Sequence, residues 1–405
     1  MTASYAANHW GKKRWGDLVS LEYGKGIRDY DREYGKYRVY GSNGPIGWHS
    51  ESLINGPGVI LGRKGAYRGV HYSSDNFSVI DTAYYVLPRI PTDMRWLYYA
   101  MLYHKVGEIN DGSPIPSTTR SAVYKSELIV PPLEEQASIS KVLSCIDDKI
   151  EAMNYQNEIL DKLAQLFFKD WFIDFGPTRA KMVGQAPYIT ADIWSLFPSE
   201  LDDTGQPTGW SQSSIGDEGD MAGGSTPSTT VPDYWGGEIA WATPKDLSPL
   251  TAPVLLSTER RITEAGLTQI GSGLLPAGTV LLSSRAPIGY LAVTQIPSAI
   301  NQGFIAMRCN KRVSMHFAWL WTNAHMDVIK QKANGSTFQE ISKSSFRTIP
   351  VLLPTDALLS AFEEVIAPLF SQIVSNEKET RDLAETRDFL LPKLMSGELR
   401  VGNSA

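Results

Sequence analysis

Residues 139–171 read ISKVLSCIDDKIEAMNYQNEILDKLAQLFFKDW. Ile139, Leu143, Ile146, Ile150, Met153, Asn157, Leu160, Ala164, Phe167 and Trp171 recur in it at alternating spacings of four and three. Phe362, Ile366, Leu369, Ile373, Asn376, Thr380, Leu383, Arg387, Leu390 and Leu394 repeat that spacing, each 223 residues later. A sustained period of about 3.5 residues is the seam of two helices coiled on each other; a helix lying on a globular core shows a wider stripe at about 3.6. Glu and Lys fill the remaining positions, as solvated faces do. A helix of about 40 residues would run about 60 Å at 1.5 Å per residue, the length of a spacer. Two polar levels interrupt the seam, Asn157 and the Asn376–Thr380 turn. Such residues either fix register at some cost in stability or are tolerated, hydrated defects. Pro368 should kink the second helix or break it early. Arg387 should reach out to solvent or to a partner.

The rest of the chain is also duplicated. Ile80-Asp81-Thr82-Ala83-Tyr84 aligns with Ile300-Asn301-Gln302-Gly303-Phe304, and Gly58-Val59-Ile60-Leu61 with Gly278-Thr279-Val280-Leu281, both offset by 220. Gly112-Ser113 aligns with Gly335-Ser336 and Val130-Pro131 with Leu353-Pro354, both offset by 223, as a three-residue loop insertion would give. Each half is a globular region followed by a long helix. The expected divisions are 1–132, a first globular domain; 133–175, a first spacer helix; 176–209, a Pro- and Gly-rich strap; 210–354, a second globular domain; 355–396, a second spacer helix; and 397–405, a tail. The globular regions read as short strands and turns followed by a helix: strands at Val59–Leu61 and Thr82–Leu87, then at Thr279–Leu282 and Ile300–Met307; helices at Arg95–Val106 and His316–Gln331. Asp81 and Asn301 read as strand residues, buried hydrogen-bonding groups and not base contacts. The fold class is α+β, two similar globular domains and two long helices forming an antiparallel coiled coil.

The chain has 405 residues and 42% hydrophobic content, enough for packed cores. No apolar run approaches the ~20 residues of a membrane span, and the first residues lack a signal-peptide pattern. Two cysteines without metal-ligand spacing suit a reducing cytoplasm. Net charge is −6, yet residues 1–132 hold sixteen basic side chains against twelve acidic ones, and the helix that follows is acidic. A basic globular part beside an acidic rod fits a nucleic-acid-facing module on a solvated spacer. There is no Asn- or Asp-Pro-Pro-aromatic loop for a flipped adenine, no Gly-rich cofactor loop and no Walker loop. HExxH and GxSxG are missing, and the six histidines are scattered. These absences argue for a non-catalytic chain needing no cofactor or metal.

Pro131-Pro132-Leu133-Glu134-Glu135-Gln136 resembles the string that opens the first spacer helix of Type I restriction-modification specificity (S) subunits. The stretches 168–182 and 390–399 resemble that family's helix end with strap and its closing segment. Asn43-Gly44, Gly62-Arg63-Lys64-Gly65 and Asp81-Thr82 resemble one class of its target-recognition domains. The likeness covers essentially the whole chain; the second segment departs from it, with Pro354-Thr355-Asp356-Ala357 in place of the first string. The resemblance implies two target-recognition domains held apart by antiparallel helices, each reading one half of a split double-stranded DNA target. It implies docking of two adenine-N6 methyltransferase (M) subunits and of restriction (R) subunits. S-adenosylmethionine would then belong to the methyltransferase, and ATP and Mg to the nuclease. The rival readings are a protein–protein adaptor on a coiled coil and a nuclease of unfamiliar design.

Candidate DNA contacts follow from residue chemistry. Arg63, Lys64, Tyr67 and Arg68 sit in a Gly-rich loop able to approach DNA closely. Arginine suits guanine and Asn43 suits adenine. Ser42 flanks Asn43, and Lys36, Arg38 and Lys12–Arg14 suit phosphates. Ser113, Ser117, Thr118, Thr119 and Arg120 form a second loop. In the second half the candidates are Lys245, Ser284, Arg285, Gln302, Ser336, Thr337 and Lys343.

Overall fold

The computed structural model describes residues 10–32, 34–65, 67–110, 116–334 and 339–401. The chain divides into two compact units, 1–150 with 382–405, and 151–381. The division falls inside both long helices, Leu133–Phe168 and Asp356–Ser396.

In the first unit, Val19–Tyr23, Ala83–Pro88, Gly58–Gly62 and Val70–Ser73 form an antiparallel sheet in that order. A second sheet has the order Gly44–His49, Tyr37–Gly41, Phe77–Val79, its last pair parallel. Gly58–Gly62 is buried along its whole length because both faces are covered. Val59 and Leu61 face the cluster holding Trp96, Leu97 and Ala100 of the helix Met94–Tyr103. Ile60 faces Tyr40, Phe77 and Val79 of the second sheet. Period-two alternation therefore fills two cores from one strand. Gly11–Arg14 pairs with Glu127–Val130 and joins the start of the unit to the strand before the long helix.

The second unit repeats this plan. Asp220–Gly223, Phe304–Arg308, Val280–Ser284 and Ile288–Thr294 pair in the same order, with Val254–Leu255 added at the edge. Arg260–Ile262, Trp235–Ala242 and Ser298–Ile300 form the three-stranded sheet, and Ser211–Ser214 pairs with Pro350–Leu353. Val280 and Leu282 enter one core and Leu281 another, as in the first unit. Two expectations change. Ile300–Met307 is two strands separated by a turn, and Asp81 and Asn301 lie in turns; Asp81 is exposed, and the Asn301 carboxamide accepts from Gly303 N at 2.9 Å. The helix expected at 316–331 is Met315–Ala324 followed by Met326–Gln331. The strap carries two short helices, Gly176–Met182 and Ala191–Leu196.

The long helices meet antiparallel within each unit. In the first, Ile139 and Leu143 are buried in one cluster with Leu394 and Met395. Ile146, Ile150, Leu383 and Leu390 are half-buried there. Arg387 reaches across the seam, not outward: its Nη1 donates to Asp147 at 3.0 Å. The helix ends where Gly397, at φ +73°, turns back and Leu399 N donates to Lys393 O at 2.9 Å. In the string 131–136, Gln136 is buried, accepting from Asp93 N at 3.0 Å and donating to Pro131 O at 2.9 Å. Glu135 accepts from Trp10 Nε1 at 3.0 Å and pairs with Arg400, so much of that string anchors the unit internally.

In the second unit, Met153, Asn157, Phe362, Ile366, Ile373 and Asn376 are buried, with Leu160, Phe167, Leu369 and Thr380 half-buried. Leu358 and Phe370 are buried too, because this part of the helix packs on a globular core as well as on its partner helix. The helix runs through Pro368 without the early break. It is exposed, where an orphaned carbonyl is open to solvent, while Ile366, Phe370 and Ile373 on either side are buried and hold the helix. The same stretch is long and apolar enough to cross a membrane by composition. Glu363 and Glu364 interrupt it, and its large side chains are spent on the core.

The polar level is fully bonded. Asn376 Nδ2 donates to Asn157 Oδ1 at 2.8 Å, Asn157 Nδ2 to Glu377 Oε1 at 2.8 Å, and Gln372 Nε2 to Asn376 Oδ1 at 2.7 Å. These bonds join the two helices side chain to side chain at this level. Asn376→Leu alone strands the Asn157 carboxamide oxygen and should cost about 1–3 kcal/mol. The double change Asn157→Leu/Asn376→Leu should recover most of that loss. Urea midpoints of the two variants check this.

Candidate nucleic-acid interface

In the first unit, backbone hydrogen bonds join the two loops singled out in the sequence. Thr118 N donates to Arg63 O at 2.9 Å, Gly65 N donates to Pro116 O at 3.2 Å, and Lys64 bridges to Ser117. Between them and the end of the strand Val19–Tyr23 lies a cavity of about 340 Å³, whose walls include Tyr23, Arg63, Lys64, Tyr84, Thr119 and Arg120. Tyr23 is 47% exposed. The Arg63 and Arg120 guanidiniums lie 4.7 and 4.2 Å from its ring centre. Arg63 Nη1 donates to Asp81 O at 3.1 Å, and Arg120 Nη2 to Glu22 Oε2 at 3.2 Å. Tyr84 forms the floor; burial first, then the neighbouring Tyr23 hydroxyl, pushes its own hydroxyl up to about 12. Three cations around exposed aromatic and hydroxyl groups can bind phosphates and base edges.

Elsewhere in this unit Lys36, Arg38 and Asn43 are exposed, Arg38 lying 3.9 Å from the Trp48 ring centre. Ser42 is half-buried and donates to Thr82 O. Tyr67 is exposed. Arg68 is committed to the fold: Nε donates to Gly107 O and Nη1 to Gly65 O, both at 3.0 Å. Thr118 is a correction. It is fully buried, with its hydroxyl 3.3 Å from Gly107 O and 3.1 Å from Ile109 O, and has no surface for DNA. Ser113 lies outside the described residues.

The second unit builds the same junction. Ile341 N donates to Ser284 O at 3.0 Å, and Arg285 bridges to Glu340. Arg285 is half-buried and faces Glu340 at 3.6 Å. Ser284 is the second correction, buried at the end of its strand. Gln302 is exposed and accepts from Thr226 Oγ1 at 2.6 Å. Lys343 is exposed at the start of the short helix Lys343–Arg347. Lys245 is exposed and pairs with Glu259 at 2.8 Å. Ser336 and Thr337 lie outside the described residues. Sequence reasoning missed Tyr23 and Glu22. The signal was the pattern Val19, Leu21 in and Ser20, Glu22 out, ending on an aromatic before Gly24-Lys25-Gly26.

A family model for the Type I restriction modification DNA specificity domain matches this sequence over residues 8–161 and again over 207–384. The sequence is 34% identical over 194 residues to the Type I restriction enzyme MjaIX specificity subunit of Methanocaldococcus jannaschii, covering 47% of this chain and 45% of that one. It is 25% identical over 342 residues to the HindI specificity subunit of Haemophilus influenzae, covering 73% and 74%. The match thus spans about half of the first relative and about three quarters of the second. Among solved structures, the fold is similar to the Type-I restriction-modification system S subunit from M. genitalium, with a TM-score of 0.60, 16% identity and 98% of each chain covered.

Proposed function

The chain belongs to the family of Type I restriction-modification specificity subunits, and on that premise we propose that it reads a split double-stranded DNA target and catalyses nothing itself. Each unit reads one half of the target at its loop junction. The long helices set the unread gap and offer docking surface to two adenine-N6 methyltransferase subunits, which a restriction subunit joins. S-adenosylmethionine belongs to the methyltransferase, and ATP and Mg to the nuclease. One observation carries the reading: a single chain builds the same loop-on-loop junction twice, with Arg63, Lys64 and Arg120 around one and Arg285 and Lys343 beside the other. Because the halves have diverged in sequence, the half-sites they read need not be identical.

Mapping methylated adenines in the source genome is the test. A split motif methylated on both strands and lost on deletion of this chain is expected; an unchanged methylation map rejects the proposal. Lys36 and Arg38 are assigned to phosphates. Lys36→Ala and Arg38→Ala should each lower the slope of log affinity against log salt by about one, with no change in preferred sequence. Gel shifts of the assembled complex across a salt series measure it, and a salt-independent affinity would favour a protein adaptor.

A further inference from the structure

Resting on the DNA-reading assignment above, the geometry points to Arg120 as the residue that reads a guanine in the half-site of the first unit, with Glu22 and Ser20 as positioning residues behind it. Arg120 opens the helix Arg120–Lys125, and its backbone is pinned on the N-terminal side by Thr118 N donating to Arg63 O. Its side chain is held twice, by the Tyr23 ring at 4.2 Å and by Glu22 at 3.2 Å. Glu22 is itself fixed: Ser20 Oγ donates to its other oxygen at 2.5 Å. An arginine held on its face and at one donor loses little further freedom when its fork meets a ligand.

The same ion pair decides the kind of ligand. Glu22 neutralises much of the Arg120 charge and would repel a phosphate brought to it. It takes one hydrogen of Nη2 and leaves the fork of Nη1 and Nη2 with donors for two neutral acceptors. Guanine O6 and N7 are that pair of acceptors in the major groove. Arg63 differs, since its partner is the uncharged carbonyl of Asp81. It keeps its full charge and, with exposed Lys64, suits the adjoining phosphates. Among the described residues the second unit has no stack at the equivalent position: its strand Asp220–Gly223 ends on glycine where Val19–Tyr23 ends on tyrosine.

The experiment expresses the full chain with its methyltransferase partner and reads the methylated motif of wild type, Arg120→Lys and Glu22→Gln. The wild type should show a split motif with a guanine in one half. Arg120→Lys should lose the preference for that guanine by about tenfold or more, at one position of one half only, the other half and the gap serving as the control for folding. Glu22→Gln should relax the same position more weakly. An unchanged motif in either variant overturns the inference, as does a uniform loss across all positions in a variant that melts at the wild-type temperature. Should Arg120→Lys fail to fold, Glu22→Gln decides alone. A wild type with no split motif would instead remove the DNA-reading assignment on which the inference rests.

Discussion

Phe362→Ala should destabilise the second unit by about 3–5 kcal/mol, the range for emptying a buried aromatic site. Phe362 is 1% exposed. Its ring centre lies 4.7 Å from that of Phe172, 5.6 Å from Trp171, 5.9 Å from Phe168 and 6.3 Å from Phe317. These rings come from both long helices, the turn that ends the first helix, and the helix Met315–Ala324. No single neighbour can swing in to refill the site without abandoning its own contacts, so the cavity persists. Phe389, 61% exposed, is the matched control, and Phe389→Ala should change stability by no more than about 0.5 kcal/mol. Urea unfolding of the purified variants reads the difference. A cost below about 1 kcal/mol for Phe362→Ala would mean that the aromatic cluster is not the junction of helix and globular core.

The coiled helices were legible because their period is set by geometry that no tertiary context alters. The seam Ile139, Leu143, Met153, Asn157 needs only counting. The wider stripe Leu358, Phe362, Ile366, Phe370, Ile373 was less legible, since the second helix serves a seam and a globular core at once. The break expected at Pro368 is absent for the same reason: packing on both sides outweighs one lost hydrogen bond. The loops 62–65 and 116–120 were found by residue type, but their meeting was not, because it depends on backbone bonds between residues some fifty positions apart. That meeting also separates Thr118, whose buried hydroxyl is bonded to the Gly107 and Ile109 carbonyls, from Arg120, half-exposed at the cavity; polar residues close in sequence look alike there. Glu22 was invisible as a partner of Arg120, 98 residues away, until the sheet brought them together.

Inserting one heptad into both long helices, after Ile150 and before Asp382, should abolish methylation of the original target while leaving the bases read in each half unchanged. Seven residues add about 10.5 Å of helix and shift the facing side by only about 20°, so the seam can re-pair with the same faces inward. About 10 Å corresponds to about three base pairs of duplex, too far for both junctions to keep their contacts on the old spacing. Affinity for that site should fall toward the non-specific level, about a thousandfold or more. The same insertion in one helix alone is the necessary contrast. It leaves seven residues with no partner and moves the Asn157–Asn376 and Asp147–Arg387 levels out of register, so it should lower the unfolding midpoint without producing any new spacing. Methylome sequencing separates the outcomes: two half-motifs retained at an altered gap is the expected result of the paired insertion. Retention of the original gap would show that something other than the helix pair measures it.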